Sequence, residues 1–83
     1  MPTILVIFGL KVIIYFNDHT PAHVHVLGNG NEAIFNLSLV SNELELRENN
    51  GFSNRELKKI NDALLEKIDF IREKWSEIHG TNK

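Results

Sequence analysis

Three of the four histidines of the chain fall within seven positions, in the stretch His19-Thr-Pro-Ala-His23-Val-His25. Alternate side chains of a β-strand point to the same face, so His23 and His25 would share one face with Cα atoms about 6.6 Å apart. A turn before that strand, which the local Asn, Asp and Pro residues favour, can bring His19 to the same place. The spacing therefore predicts a histidine cluster, with His19, His23 and His25 as candidate catalytic residues.

Two kinds of chemistry fit this cluster. Imidazole nitrogens bind zinc, nickel, copper and iron, and Glu32, expected beside them on the neighbouring strand, would add an oxygen ligand. The candidate metal ligands are thus His23, His25 and Glu32. Alternatively, two imidazoles can divide the roles of general base and general acid that phosphodiester cleavage requires. Lys11 and Tyr15, expected on the same side of the sheet, would then hold a phosphate or position a leaving group.

A structural explanation of the same residues stays open. His-Val-His is also an ordinary half-exposed strand, whose imidazoles pack in an interface or hydrogen-bond to Asn36 and Glu32. Clusters of titratable groups point to functional sites only statistically. The residue pattern alone therefore leaves metal binding, acid-base catalysis and packing as alternatives.

A group of three bases, Arg55, Lys58 and Lys59, stands at the start of the predicted C-terminal helix. Backbone N–H groups and the helix dipole favour anions at such a position, so Arg55 is a further candidate for phosphate binding. The simpler interpretation is a solvated helix face, on which Lys58 pairs with Asp62 at i,i+4.

Two hairpins are expected to position the histidines. Residues 3–8 and 11–16 are predicted to pair across Gly9-Leu10, a dipeptide suited to a type II′ turn, with Phe8 opposite Lys11. One face of this hairpin is entirely apolar and is assigned to the core: Leu5, Ile7, Val12, Ile14 and Phe16.

The second hairpin joins residues 23–27 and 32–39 across Asn29-Gly30, with Leu27 opposite Glu32. This register puts Val24 and Val26 on the core face and the histidines on the other. Residues 43–47 alternate charged and apolar side chains and form a possible fifth, edge strand. The Glu48-Asn49-Asn50-Gly51 segment is expected to be a loop.

Residues 54–79 are predicted to form one long helix. Ser53 as N-cap and Glu56 three positions later make a capping box. Apolar residues recur every three or four positions and give one stripe: Leu57, Ile60, Leu64, Ile68, Ile71, Trp75 and Ile78. Such a helix would be about 39 Å long, roughly twice the length of a six-residue strand. Its last turns, with Phe70 and Trp75, must therefore fold back through a kink or bind another chain.

The composition of the 83 residues sets the class of protein. The length fits a single domain, 1–83, with an α+β fold in which an antiparallel sheet of four or five strands packs on the helix. The lack of cysteine excludes disulfides and thiolate metal sites. The net charge of −2 excludes the overall basic field of a dedicated nucleic-acid binder. Since no apolar run reaches 18 residues, no membrane span is expected and the expected location is cytoplasmic.

The predicted outer sheet face and helix end carry more apolar surface than a small free monomer usually exposes. We therefore expect a partner protein or a homo-oligomer. No cofactor is expected, with a divalent metal as the alternative.

Three motifs together resemble a family of small bacterial proteins described as a domain of unknown function. They are the Met1-Pro2-Thr3-Ile4 start, the stretch Asp18-His19-x-Pro21-x-His23-Val24-His25-Val26, and Glu48-Asn49-x-Gly51-Phe52-Ser53 with Arg55-Glu56-Leu57. The resemblance covers nearly the whole chain and implies no established activity. Its members look like proteins of two-gene modules, which implies a toxin-antitoxin-like pair. The chain departs from the family at Ala22, where a second proline is common, and in its longer segment 39–46.

Three functions follow as hypotheses. The first is a component of a toxin-antitoxin-like module that acts on or binds RNA or a partner protein through His19, His23 and His25. The second is a non-enzymatic interaction module, in which the histidines only line the interface. The third is a small metal-binding protein.

Overall fold

A computed structural model describes residues 3–18, 20–38 and 40–79, and shows a five-stranded antiparallel sheet followed by two helices. The elements are β1 (Thr3–Ile7), β2 (Leu10–Ile13), β3 (His23–Gly28), β4 (Asn31–Leu37), β5 (Leu44–Asn50), α1 (Asn54–Glu66) and α2 (Ile68–His79). The strands lie in the sheet in chain order, so β1 and β5 are its edges. The predicted α+β class is confirmed, and the fifth strand is present.

The first hairpin turns one residue earlier than predicted. Its loop is Phe8-Gly9, where both residues have positive φ, 50° and 75°. Positive φ at both loop positions belongs to a type I′ turn, in which Gly9 takes the second position and not the first. Lys11 therefore lies opposite Val6 and not opposite Phe8.

The predicted strand over 11–16 ends at Ile13. The chain then turns over Tyr15–Asp18, where the Asp18 N–H donates to the Tyr15 carbonyl at 3.2 Å. Phe16 lies in this turn with 70% of its surface exposed, so its assignment to the core was wrong. The asparagine and aspartate that favour turns outweigh the β-propensity of Tyr15 and Phe16.

The second hairpin agrees with the sequence. Asn29 and Gly30 have φ of 55° and 77°, and Leu27 lies opposite Glu32. The edge strand β5 extends to Asn50, so residues 48–50, expected as a loop, continue the pairing with β4. Leu39, the predicted end of the fourth strand, lies outside the described residues.

The predicted single helix is two helices, separated at Lys67 (φ −112°, ψ 20°). The Lys67 N–H donates to the carbonyl of Leu64 at 3.0 Å, an i to i−3 bond that tightens the last turn of α1. The break keeps the apolar stripe in the core, since Ile71 and Trp75 are 0% and 1% exposed. The last turns were expected either to fold back through a kink or to bind another chain, and the structure shows that they fold back. Phe70 nevertheless remains 38% exposed.

The core lies between the helices and one face of the sheet. Its buried residues are Leu10, Val12, Ile14, Ala22, Val24, Val26, Ala33, Phe35, Leu37, Phe52, Ile60, Leu64, Ile68, Ile71 and Trp75. The alternation predicted for the second hairpin is confirmed by this set. Neither described helix is long and apolar enough to cross a membrane.

The junction between β5 and α1 is built from side-chain hydrogen bonds. Asn49 bonds both backbone groups of Phe52, donating to its carbonyl at 3.0 Å and accepting from its N–H at 3.1 Å. The predicted capping box is present, with Ser53 Oγ accepting from the Glu56 N–H and Glu56 Oε1 accepting from the Ser53 N–H. The motif from Glu48 to Glu56 thus serves to start the helix.

Candidate metal centre

Asp18 is fixed by the turn that precedes the histidines. Its Oδ2 accepts the Tyr15 N–H at 2.9 Å, while its own N–H donates to the Tyr15 carbonyl. These two bonds hold the carboxylate against the turn. The other oxygen, Oδ1, faces His23 and His25.

His23 stands at the first position of β3 and is the one buried polar or charged residue in the described part of the chain, with 6% exposed. Its Nδ1 lies 2.8 Å from the Pro21 carbonyl oxygen. A carbonyl only accepts, so Nδ1 carries the proton and donates. The opposite nitrogen, Nε2, lies 3.5 Å from Asp18 Oδ1.

His25 repeats this arrangement two residues later. Its Nδ1 lies 3.2 Å from Oε2 of Glu32, which sits on β4, and its Nε2 lies 3.4 Å from Asp18 Oδ1. The rings of His23 and His25 meet edge to face at 5.2 Å between centroids. The strand alternation that the sequence indicated thus brings the two imidazoles to one place.

The two Nε2 atoms and the Asp18 carboxylate converge, with one ligand atom from each residue within 4.8 Å of the others. The side chains of Asp18, His23 and His25 are 10%, 7% and 13% exposed, so the cluster is close to solvent without lying open on the surface. Glu32, at 40% exposed, stands behind His25.

All four imidazole nitrogens face oxygen atoms that act as acceptors. A neutral imidazole has only one N–H. With both Nδ1 atoms as donors, the Nε2 lone pairs of His23 and His25 point at the negative Asp18 Oδ1. A positive centre between these atoms, such as a proton or a metal ion, would match this arrangement.

Aromatic side chains surround the cluster. The Tyr15 ring meets His25 edge to face at 4.7 Å, and the Trp75 ring lies 5.7 Å from His23. His79 in turn packs on Trp75 at 4.1 Å. Helix α2 therefore closes the side of the cluster at which β3 begins.

Of the other residues predicted for the site, two contact the cluster and two lie elsewhere in the fold. Tyr15 touches His25, and Glu32 contacts the Nδ1 of His25 and not the converging nitrogens. Lys11 lies opposite Leu27, two residues along its strand from Ile13, the neighbour of His25. Arg55 lies in the first turn of α1, at the end of the sheet that carries the two hairpin turns, so it does not share a site with the histidines. His19 lies outside the described residues.

Asp18 is the site residue that sequence reasoning missed. The residue pattern assigns it only to a turn, although it immediately precedes the histidine stretch. An Asn-Asp pair at a turn normally uses its carboxylate on nearby backbone, and Asp18 does so through Oδ2. Its other oxygen, Oδ1, reaches the histidines only because the turn folds back on β3, a contact that residue spacing does not show.

Comparison with curated proteins gives no match, and comparison with solved structures gives none either. The family model for a domain of unknown function, DUF4160, matches residues 9–76. This range includes Asp18, both clustered histidines and the junction between β5 and α1. The chain therefore belongs to the DUF4160 family of domains of unknown function.

Proposed function

We propose that this protein binds a divalent transition metal through Asp18, His23 and His25. The observation that carries the proposal is the convergence of two Nε2 atoms on one carboxylate oxygen while each Nδ1 is held by a separate oxygen. Histidines that ligate metals almost always donate their second ring N–H to a carboxylate or a backbone carbonyl. Pro21 and Glu32 supply these two partners.

The distances support the same proposal. Zinc binds nitrogen and oxygen at about 2.0 to 2.2 Å, so neighbouring ligands of a tetrahedral site lie roughly 3.3 to 3.6 Å apart. The two distances from Asp18 Oδ1 to the histidine Nε2 atoms, 3.4 and 3.5 Å, fall in that range. With both imidazoles neutral, Asp18 and Glu32 bring a local charge of −2 that a divalent cation would neutralise.

The donor set favours some metals over others. Two imidazole nitrogens and one carboxylate oxygen suit zinc, nickel, copper or iron, whereas magnesium and calcium prefer oxygen ligands throughout. Three protein ligands leave at least one coordination position for water or a substrate, the arrangement typical of catalytic and not of structural zinc.

The geometry supports metal-independent cleavage of RNA less well. A general base and a general acid must each present a nitrogen to the substrate. In this cluster both Nδ1 atoms bond to protein oxygens and both Nε2 atoms face Asp18. An acid-base role would require Asp18 to move away.

A second proposal concerns a partner. We infer that the protein acts in the cytoplasm as one component of a toxin-antitoxin-like module, in contact with a partner protein or RNA. Support comes from large apolar side chains that are exposed on the described residues: Val6, Phe8, Phe16, Val40, Leu46 and Phe70. Such surface is typical of interaction sites, although it identifies no partner.

The metal proposal is tested by titrating chelator-treated protein with Zn²⁺ in a calorimeter and with Cu²⁺ by fluorescence. Trp75 is the only tryptophan, and its ring lies 5.7 Å from that of His23, so copper bound at the cluster is expected to quench its emission. Saturable binding of one metal per chain is expected.

His23→Gln and His25→Gln should each remove the high-affinity binding. His79→Gln is the matched control, because His79 packs on Trp75 without belonging to the cluster. Equal affinity in the two ligand variants and the control would overturn the proposal.

A further inference from the structure

A cavity of about 120 Å³ lies at the end of the sheet opposite the histidine cluster. The two hairpin turns and the first turns of α1 surround it, with Phe8, Phe52 and Ile60 among its apolar lining and Asn29, Glu56 and Lys59 among its polar lining. An engineered apolar cavity of about 150 Å³ can hold benzene, so this cavity has room for an aliphatic side chain.

Phe8 is the unexpected residue of this lining. It has φ of 50°, and the residue is 61% exposed, so burial in the core does not offset the unfavourable backbone. The other hairpin has Asn29 at the equivalent position, the residue type that tolerates this conformation. The type I′ turn requires positive φ at this position, and residues held in such a conformation at a cost are common at ligand-binding sites.

The cavity also has one cationic and one anionic side chain at its edge, Lys59 and Glu56, one helical turn apart. Within the ranges that the structure describes, neither takes part in an ion pair with the other or with a third residue. The Lys59 ammonium lies 5.3 Å above the Phe8 ring, and Glu56 bonds the Ser53 N–H through Oε1 alone. Both charges are available to a ligand.

We propose that this cavity binds a free α-amino acid with an aliphatic side chain. The carboxylate of the ligand pairs with Lys59, its ammonium pairs with the free oxygen of Glu56, and its side chain enters between Phe8, Phe52 and Ile60. A ligand with only one charge would leave the opposite charge of the pair unmatched. This site is separate from the metal centre and does not depend on it.

Titration of ¹⁵N-labelled protein with L-leucine tests the proposal by NMR. Saturable shifts are expected around Phe8, Asn29 and the first turns of α1. Two analogues serve as probes, 4-methylpentanoate without the ammonium and 3-methylbutylamine without the carboxylate. Each is expected to bind about threefold or more weakly than leucine, since exposed ion pairs contribute modestly. Analogues that bind as well as leucine would overturn the proposal, as would shifts confined to the other end of the sheet.

Variants test the same site. Lys59→Gln and Glu56→Gln should each weaken leucine binding about threefold, and glutamine at position 56 retains the capping box. Lys58→Gln is the control, because Lys58 pairs with Asp62 at 3.5 Å and does not line the cavity. Phe8→Asn should abolish the shifts in a folded protein, since asparagine suits the turn. Unchanged affinity in Phe8→Asn would contradict the proposal.

Discussion

At the scale of single residues, the proposed metal centre depends on Asp18. Without it, His23 and His25 would be two neighbouring imidazoles held by Pro21 and Glu32. With it, both Nε2 atoms lie beside one carboxylate oxygen, an arrangement that a bound cation would match. The bond from the Tyr15 N–H leaves this oxygen little freedom to turn away.

Asp18→Asn is therefore expected to weaken metal binding strongly. The amide keeps an oxygen for the Tyr15 N–H but removes the negative charge from the ligand set. The loss in affinity should exceed the roughly 10- to 100-fold that loss of an outer-shell partner causes. Calorimetric titration with Zn²⁺ measures it, and a loss below tenfold would exclude Asp18 as a ligand.

Glu32→Gln should have a smaller effect, about tenfold in metal affinity, because Glu32 orients His25 through Nδ1 and is not itself a ligand. Glu73→Gln, an exposed position on α2, is the matched control for the change in net charge. If Glu32→Gln abolished binding as completely as Asp18→Asn, Glu32 would have to be counted among the direct ligands, as the sequence first indicated.

The residue pattern predicts one part of the site and not the other. The proximity of His23 and His25 follows from strand alternation, which is local. The approach of Asp18 depends on a turn that folds back on the strand, and the contact of Trp75 depends on the path of α2. Neither contact leaves a local signal, so residue spacing could not predict them.

At the scale of elements, β5 and α1 are joined by Asn49. Asn49→Ala removes both hydrogen bonds to Phe52, whose side chain is buried, and is expected to destabilise the protein by about 1 to 3 kcal/mol. Chemical denaturation measures this change. Asn50→Ala is the control, since the Asn50 side chain donates to Glu48, an exposed residue. Equal effects of the two substitutions would mean that the junction does not depend on Asn49.

The two hairpins show what turn chemistry can predict. Asn29-Gly30 specifies its turn because both residues tolerate positive φ. Phe8-Gly9 adopts the same conformation although phenylalanine does not favour it, so the residue types indicated a turn one position later. The break at Lys67 also lacks a proline or glycine signal, and it accompanies the burial of Ile71 and Trp75 in the core.

At the scale of the whole molecule, the cluster joins the 15–18 turn, the sheet and α2, since His23 contacts both Asp18 and Trp75. A ligand that binds only the folded chain stabilises it by about 2.7 kcal/mol at 100 times its dissociation constant. For a domain of this length, that corresponds to roughly 10 to 20 °C in Tm. Zn²⁺ should raise the Tm of the wild type by this order, whereas Mg²⁺ should have little effect. Equal shifts with Mg²⁺ would point to nonspecific binding.

Self-association of the chain is also a property of the whole molecule. Light scattering is expected to give a mass above that of one chain, because Phe16 and Phe70 expose 70% and 38% of their surface. Phe70→Ser should lower the mass if α2 forms the contact. A monomer at all concentrations tested would exclude a homo-oligomer. The exposed apolar surface would then be left for a different partner. The length of the predicted helix made Trp75 a candidate for contact with another chain. It is buried in the structure, so a substitution there does not test this surface.

The most direct test of the metal centre is an X-ray absorption spectrum of the zinc-loaded protein. It should show two imidazole nitrogens and at least one oxygen at about 2.0 to 2.2 Å, and His25→Gln should reduce the imidazole count by one. A first shell of oxygen alone, or the same spectrum in wild type and His25→Gln, would contradict a centre formed by Asp18, His23 and His25.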